Sequence, residues 1–236
     1  MYIKIISQNA LSEIDNIGAS SQAKLFRRGL LRWFAGHGRD FAWRKTKDPY
    51  LILLSEVLLQ RTQAQQVASN FNDIILQFPT LQVLYGSRYD VVSKTLQPLG
   101  LAKRVDTLLS MTKILVEQHT GKIPANPDQL RSLPGIGRYI ASATVCFAFS
   151  RRIPIVDTNV VRIFIRYFGI TSKKRRPHED DLVWRLAELL LPKRDVKDYN
   201  RALIDFAAVV CTVRKPSCPQ CPIIKGCRFA LNFPSK

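Results

Sequence analysis

The chain has 236 residues, 46% of them apolar, and carries 36 Lys and Arg against 18 Asp and Glu, a net charge of +18. That composition excludes a disordered tail and allows one large domain or two small ones around a buried core. Because the positive charge is spread along the whole chain, it points to a polyanionic partner, nucleic acid first, with an inert basic surface as the plain alternative.

In chain order, the N-terminal MYIKIISQNALSEID lacks the charged start, apolar stretch and cleavage site of a secretory signal. No apolar run approaches the ~18 residues of a membrane span, so a soluble, intracellular protein is expected. Apolar residues then recur at three- and four-residue spacing in LFRRGLLRWFAG (25–36), YLILLSEVLLQRTQAQQVASNFNDIILQF (50–78), YDVVSKTLQPLG (89–100) and RVDTLLSMTKILVEQHTG (104–121). The same spacing continues in GRYIASATVCFAF (137–149), NVVRIFIRYFG (159–169), DDLVWRLAELLLP (180–192) and YNRALIDFAAVVC (199–211). Sustained period-2 alternation is missing, so the pattern predicts an all-α protein of eight to ten helices punctuated by Gly, Pro, Asp and Asn. The polar TSKKRRPHED (171–180) reads as an exposed connection.

Within the second of these periodic stretches Glu56 sits among Leu53, Leu54, Val57 and Leu58. A carboxylate there is costly unless it is paired, functional or turned to solvent, and burial suits a general acid. Further on, Pro134, Gly135 and Gly137 of LPGIGRYIASA form a tight turn between a short helix at NPDQLRS and a helix starting near Arg138. Helix, glycine turn, helix is a pattern that grips a DNA backbone through open amides at a helix start, and it also serves as a simple structural corner. Asp157 follows the apolar Ile153-Pro154-Ile155-Val156 and precedes a helix; alone it is most simply an N-cap. Standing about twenty residues after the glycine turn, it is also placed to face DNA held by that turn. Two carboxylates about a glycosidic bond are a familiar device for hydrolysis through an oxocarbenium-like transition state.

Four of the five cysteines follow in CTVRKPSCPQCPIIKGC, spaced Cys211-x6-Cys218-x2-Cys221-x5-Cys227. In an intracellular protein such a cluster favours metal binding over disulfides. Only Cys218 and Cys221 have the C-x2-C spacing that zinc hairpins repeat, which favours a [4Fe–4S] cluster over zinc. Arg214, Lys215, Lys225 and Arg228 would offset the charge of a thiolate-ligated cluster. Cys146, inside ATVCFAF, reads as a small core residue.

These motifs together resemble one family: the helix-hairpin-helix base-excision DNA glycosylases with a C-terminal iron–sulfur loop, the endonuclease III and MutY group. The resemblance runs from about Phe41 to Phe229 and rests on SEVLLQRT, LPGIGR, VDTNVVR and the cysteine spacing. It implies a two-lobed all-α fold: a six-helix barrel with the hairpin over 42–149, and a discontinuous lobe of 1–41 and 150–236 carrying a [4Fe–4S] cluster. It also implies an active site between the lobes and a target nucleotide flipped out of double-stranded DNA. Where the endonuclease III branch has a lyase Lys after LPGxGR, this chain has Tyr139, which implies little or no strand-cleaving activity.

Among the monofunctional branches, VCFAF, VDTNVVR, RYFG and WRLAELLLP look most like the glycosylases that remove thymine, and with it uracil, mispaired with guanine. The alternative is a MutY-like adenine glycosylase, which usually reads Asp-Gly-Asn where this chain has Asp157-Thr158-Asn159. A rival of another class is a non-catalytic iron–sulfur DNA-binding protein. Carried over by position, Asp157 is the essential carboxylate, Glu56 the general acid or water-positioning group, Asn159 its helper and Tyr139 a contact to the flipped base. Gly135, Gly137 and Arg138 would hold phosphate, Gln60 and Arg61 would meet the opposite base, Arg61 being equally suited to a phosphate, and Leu101, Lys103 and Arg104 lie in the segment that wedges into the gap, with Leu101 either the wedge or a core leucine. A monomer in a prokaryotic cytosol is expected, or in a nucleus.

Overall fold

The computed structural model describes residues 8–101 and 104–231. Thirteen α-helices occur among them, with no strand. They run Gln8–Ala19 (α1), Ser21–His37 (α2), Pro49–Leu58 (α3), Ala64–Gln77 (α4), Leu81–Tyr85 (α5), Tyr89–Leu96 (α6) and Val105–Gln118 (α7). Pro127–Arg131 (α8), Arg138–Phe149 (α9), Thr158–Phe168 (α10), Asp181–Leu190 (α11), Val196–Val209 (α12) and Arg228–Leu231 (α13) complete the set. None of the described helices is long and apolar enough to cross a membrane. The all-α class is as the periodicity predicts; the count exceeds eight to ten because several helices are single turns.

The chain divides into two compact units, Met1–Arg39 with Arg152–Lys236, and Asp40–Arg151. In the first unit α2 packs on α12, α1 on α11 and α10 on α12. Its core centres on Phe26, whose ring lies 4.7 Å from that of Tyr167 and 5.0 Å from that of Phe168. Buried Leu30, Trp33, Phe164, Leu203 and Phe206 extend that core. A buried ion pair closes one end: Arg39 Nε donates to Asp205 Oδ1 at 2.7 Å, and the Arg39 amide donates to Oδ2 at 2.8 Å. Asp205 is fully buried, whereas the Arg39 side chain keeps 27% of its exposure.

α2 also touches the cysteine loop. A Cβ on Gly29 would stand 2.3 Å from Ile223 Cγ2, and Ile223 is 5% exposed. Ala usually stabilises a helix interior relative to Gly by about 1 kcal/mol. Here overpacking against a branched, buried side chain opposes it, at about 1–3 kcal/mol. We therefore expect Gly29→Ala to lower the melting temperature, with protease nicking of the 211–227 loop accelerated in the folded protein.

In the second unit α3 packs on α9 and α5 on α7. Trp43 stacks on Phe41 at 4.5 Å and meets Phe71 edge-on at 5.4 Å. The buried Tyr50 hydroxyl donates to the Phe78 carbonyl at 2.9 Å, and burial pushes its pKa far up.

The apolar stretch over 50–78 is not one helix. α3 stops at Leu58 and α4 starts at Ala64, and between them Arg61 takes a left-handed φ of 56°. α1, too, lies in sequence read only for a targeting signal. The polar 171–180 connection is partly ordered: Asp180 is buried and caps α11, accepting from the Leu182 amide and from the Ser172 hydroxyl.

Candidate active site

Asp157 is held at the start of α10 by what precedes it. Ile155 and Val156 are each 1% exposed, and Asn200 Nδ2 donates to the Ile153 carbonyl at 3.0 Å, so the extended segment is pinned to the core. The half-buried carboxylate caps the helix: Oδ1 accepts from the Asn159 amide at 2.9 Å and the Val160 amide at 2.7 Å. Oδ2 accepts from Asn159 Nδ2 at 2.7 Å. Asp157 is thus an N-cap, as an isolated Asp would be, but one whose second oxygen is oriented by a neighbouring amide.

That amide is itself held. Asn159 Oδ1 accepts from Arg162 Nη1 at 2.8 Å, and Arg162 also donates to the carbonyls of Cys211 (3.0 Å) and Ala207 (2.9 Å). One helical turn on, Arg166 donates to the carbonyls of Thr212 (2.7 Å) and Val213 (2.9 Å), and to Cys211 Sγ at 3.4 Å. Sequence reasoning missed Arg162 and Arg166. Their signal was the i, i+3 and i, i+7 spacing from Asn159, which puts both on one face of α10.

Cys211, Cys218, Cys221 and Cys227 are half-buried and line one small pocket, with Tyr167, Phe206 and Ile223 among its apolar walls. Burial pushes the Cys221 thiol up to about 11, Cys227 and Cys211 adding to the effect and a hydrogen bond from Ile223 opposing it. Cys218 and Cys227 are raised by burial as well. Among the described residues no group of three His, Cys, Asp or Glu is arranged to hold a single metal ion. Tyr167 and Gln22 clamp the loop: Gln22 Nε2 donates to the Gly226 carbonyl at 2.7 Å, and a Cβ on Gly226 would stand 2.1 Å from the Tyr167 hydroxyl. Cys146 is fully buried in α9.

In the second unit Glu56 is 5% exposed, on α3, which answers the question of whether it turns to solvent. The glycine turn forms as its residues require. Asn126 caps α8, accepting from the Asp128 amide at 2.8 Å, and Pro127 occupies the first turn. Leu133 and Ile136 anchor the turn in the core while Gly135 takes φ 75°. Gly137 has an ordinary extended φ, and a Cβ there would meet nothing within 4 Å. The space over the α9 amides therefore stays open towards solvent, which suits a close-approaching phosphate. Arg138 and Tyr139 follow, both half-buried.

Gln60 is drawn to this turn, its Nε2 donating to the Gly135 carbonyl at 2.9 Å. Arg61 is exposed beside it. Arg104 Nη1 donates to the Gln60 carbonyl, so part of this guanidinium is committed inside the protein. Leu101 is 2% exposed. At the end of a short turn, an apolar side chain gains more from the core than from water. Lys103, named with it, lies outside the described residues.

A model of the HhH-GPD superfamily base excision DNA repair proteins matches residues 54–188. The chain is 35% identical to the thymine-DNA glycosylase of Aeropyrum pernix over 87% of this chain and 94% of that protein. It is 32% identical to the thymine/uracil-DNA glycosylase of Methanothermobacter thermautotrophicus over 89% and 95%. The solved structure of a thermostable thymine-DNA glycosylase superposes with a TM-score of 0.85 at 31% identity, covering 90% of this chain and 98% of that one. With an anchored carboxylate at a helix start and an open helix-hairpin-helix turn in its own fold, the chain belongs to the HhH-GPD superfamily of base excision DNA repair proteins.

Proposed function

We propose that this protein is a monofunctional DNA glycosylase that flips thymine, and equally uracil, out of a mispair with guanine and hydrolyses its N-glycosidic bond. The observation that carries the reading is the Asp157 carboxylate, fixed through both oxygens by two backbone amides and by Asn159. Preorganised negative charge at that point stabilises the positive charge that develops on the sugar as the base departs. Glu56, buried on α3, serves as general acid or orients the attacking water. Gly135, Gly137 and Arg138 hold a phosphate at the start of α9, and Tyr139 contacts the flipped base. The substrate follows the relatives named thymine- and thymine/uracil-DNA glycosylases, which this chain matches over nearly their full length.

The four cysteines fit a [4Fe–4S] cluster in that four thiols rim one apolar pocket. Cys211, Cys218, Cys221 and Cys227 would hold it, and its contribution when bound would be to cross-link the loop, since base hydrolysis needs no electron transfer. Equal iron and acid-labile sulfide in an anaerobic preparation is the expected result; zinc in their place overturns it.

The test of the function is base release from end-labelled duplexes carrying one T:G, U:G, A:G, A:8-oxoguanine or thymine-glycol site. Strand cleavage of T:G and U:G only after hot alkali is expected, because Tyr139 cannot form the Schiff base that a Lys would. Release of adenine opposite 8-oxoguanine, with T:G untouched, would move the protein to the adenine branch.

A further inference from the structure

Resting on that reading, we infer that Arg104 is a positioning residue for opposite-base selection: it holds the 59–63 turn so that Arg61 is presented in a fixed, left-handed conformation. Arg61 has φ 56°, a region that is strained for a side-chain-bearing residue and persists only where the surroundings impose it. The Thr62 amide closes a turn on the Leu59 carbonyl at 3.3 Å, but LQRTQ contains no Gly, Pro, Asn or Asp to favour a left-handed residue there.

The constraints come from three distant places. The Gln60 carbonyl, immediately before Arg61, accepts from Arg104 Nη1. The Gln60 side chain is tied to the Gly135 carbonyl of the hairpin turn. Thr62 Oγ1 lies 3.3 Å from the Gln60 carbonyl and 3.5 Å from that of Leu99. The residues on either side of Arg61 are therefore fastened, and Arg61 itself is exposed.

The electrostatics agree. Burial lowers the Arg104 pKa, and the nearby Arg61 guanidinium lowers it further. Two like charges held together are relieved by electron-rich acceptors, and guanine offers O6 and N7 to a guanidinium. With Gln60 engaged by Gly135 and Arg104 by Gln60, Arg61 is the exposed cation of this turn. The Gln60–Gly135 bond also ties the reading turn to the turn proposed to grip phosphate.

The test is single-turnover release of uracil placed opposite G, A, C and T, for wild type, Arg104→Ala, Arg104→Lys, Arg61→Ala and the double variant. We expect Arg104→Ala to lower the preference for guanine about tenfold, the scale of one good base contact. Arg104→Lys, which keeps a donor for the Gln60 carbonyl, restores part of that preference. In the Arg61→Ala background, Arg104→Ala changes the preference no further. If Arg104→Ala slows all four duplexes equally and flattens the salt dependence, Arg104 is a phosphate contact and the inference fails. If all four fall in parallel with the melting temperature while the preference stands, its role is structural only and the inference also fails. Wild-type protein inactive on every uracil duplex would instead remove the glycosylase reading itself, and this inference with it.

Discussion

Asp157→Asn is expected to slow release of thymine from a T:G duplex by about 10²–10⁴-fold, the range for a positioned catalytic group. Few substitutions separate chemistry from structure so cleanly at this site. Asn is as good an N-cap as Asp, so the amides of Asn159 and Val160 keep an acceptor and α10 keeps its start. What changes is the charge, and with it the contact to Asn159: an amide nitrogen facing Asn159 Nδ2 puts donor against donor. Asn159 cannot simply turn over, because its Oδ1 already accepts from Arg162. Loss of the negative charge does not weaken attraction between a chain of net charge +18 and DNA. Affinity for a duplex with an abasic-site analogue should therefore hold while base release collapses. Equal activity of mutant and wild type on every substrate would leave the non-catalytic DNA-binding reading standing.

The second large effect concerns stability, and it is asymmetric. Arg39→Ala removes the charged donor that faces the fully buried Asp205 carboxylate. Removing one partner of a buried pair costs about 3–5 kcal/mol. For a chain of this size that is a fall of roughly 6–20 °C in the melting temperature. Asp205→Ala should cost less, because the Arg39 side chain is 27% exposed and can reach water. Thermal melts of the two single variants check the order. A larger loss for Asp205→Ala would mean that its contacts inside the core, rather than the charge, dominate.

How much of this was legible in the sequence depends on where the determining forces lie. Helices whose buried stripe repeats along one face, such as α7, α10 and α12, were read directly, since periodicity records burial. The hairpin turn was legible because its glycines and prolines carry backbone preference locally. The break between α3 and α4 was not: the apolar pattern runs through it, and the left-handed Arg61 is imposed from residues 104 and 135. The burial of Leu101 was not legible for the converse reason, since position in a family segment says nothing of burial. Asp157 was legible as a cap from its own sequence, but the chain of contacts through Asn159 and Arg162 to the carbonyl of Cys211 was not. It joins stretches about fifty residues apart, which no local pattern encodes.

The first unit is built from both ends of the chain, Met1–Arg39 and Arg152–Lys236, with Asp40–Arg151 between. On the ribosome, α2 emerges with its apolar face bare, and its partners α10 and α12 appear only after the entire intervening unit has been made. Synthesis at about 5–20 residues per second leaves that face without α12 for roughly 8–30 seconds. The contiguous unit is free to fold in that interval, and doing so brings the two ends of the interrupted one closer than a random coil would. Assembly order is thus written into the connectivity: the segment with the cysteines, made after the intervening unit, closes over a helix made before it.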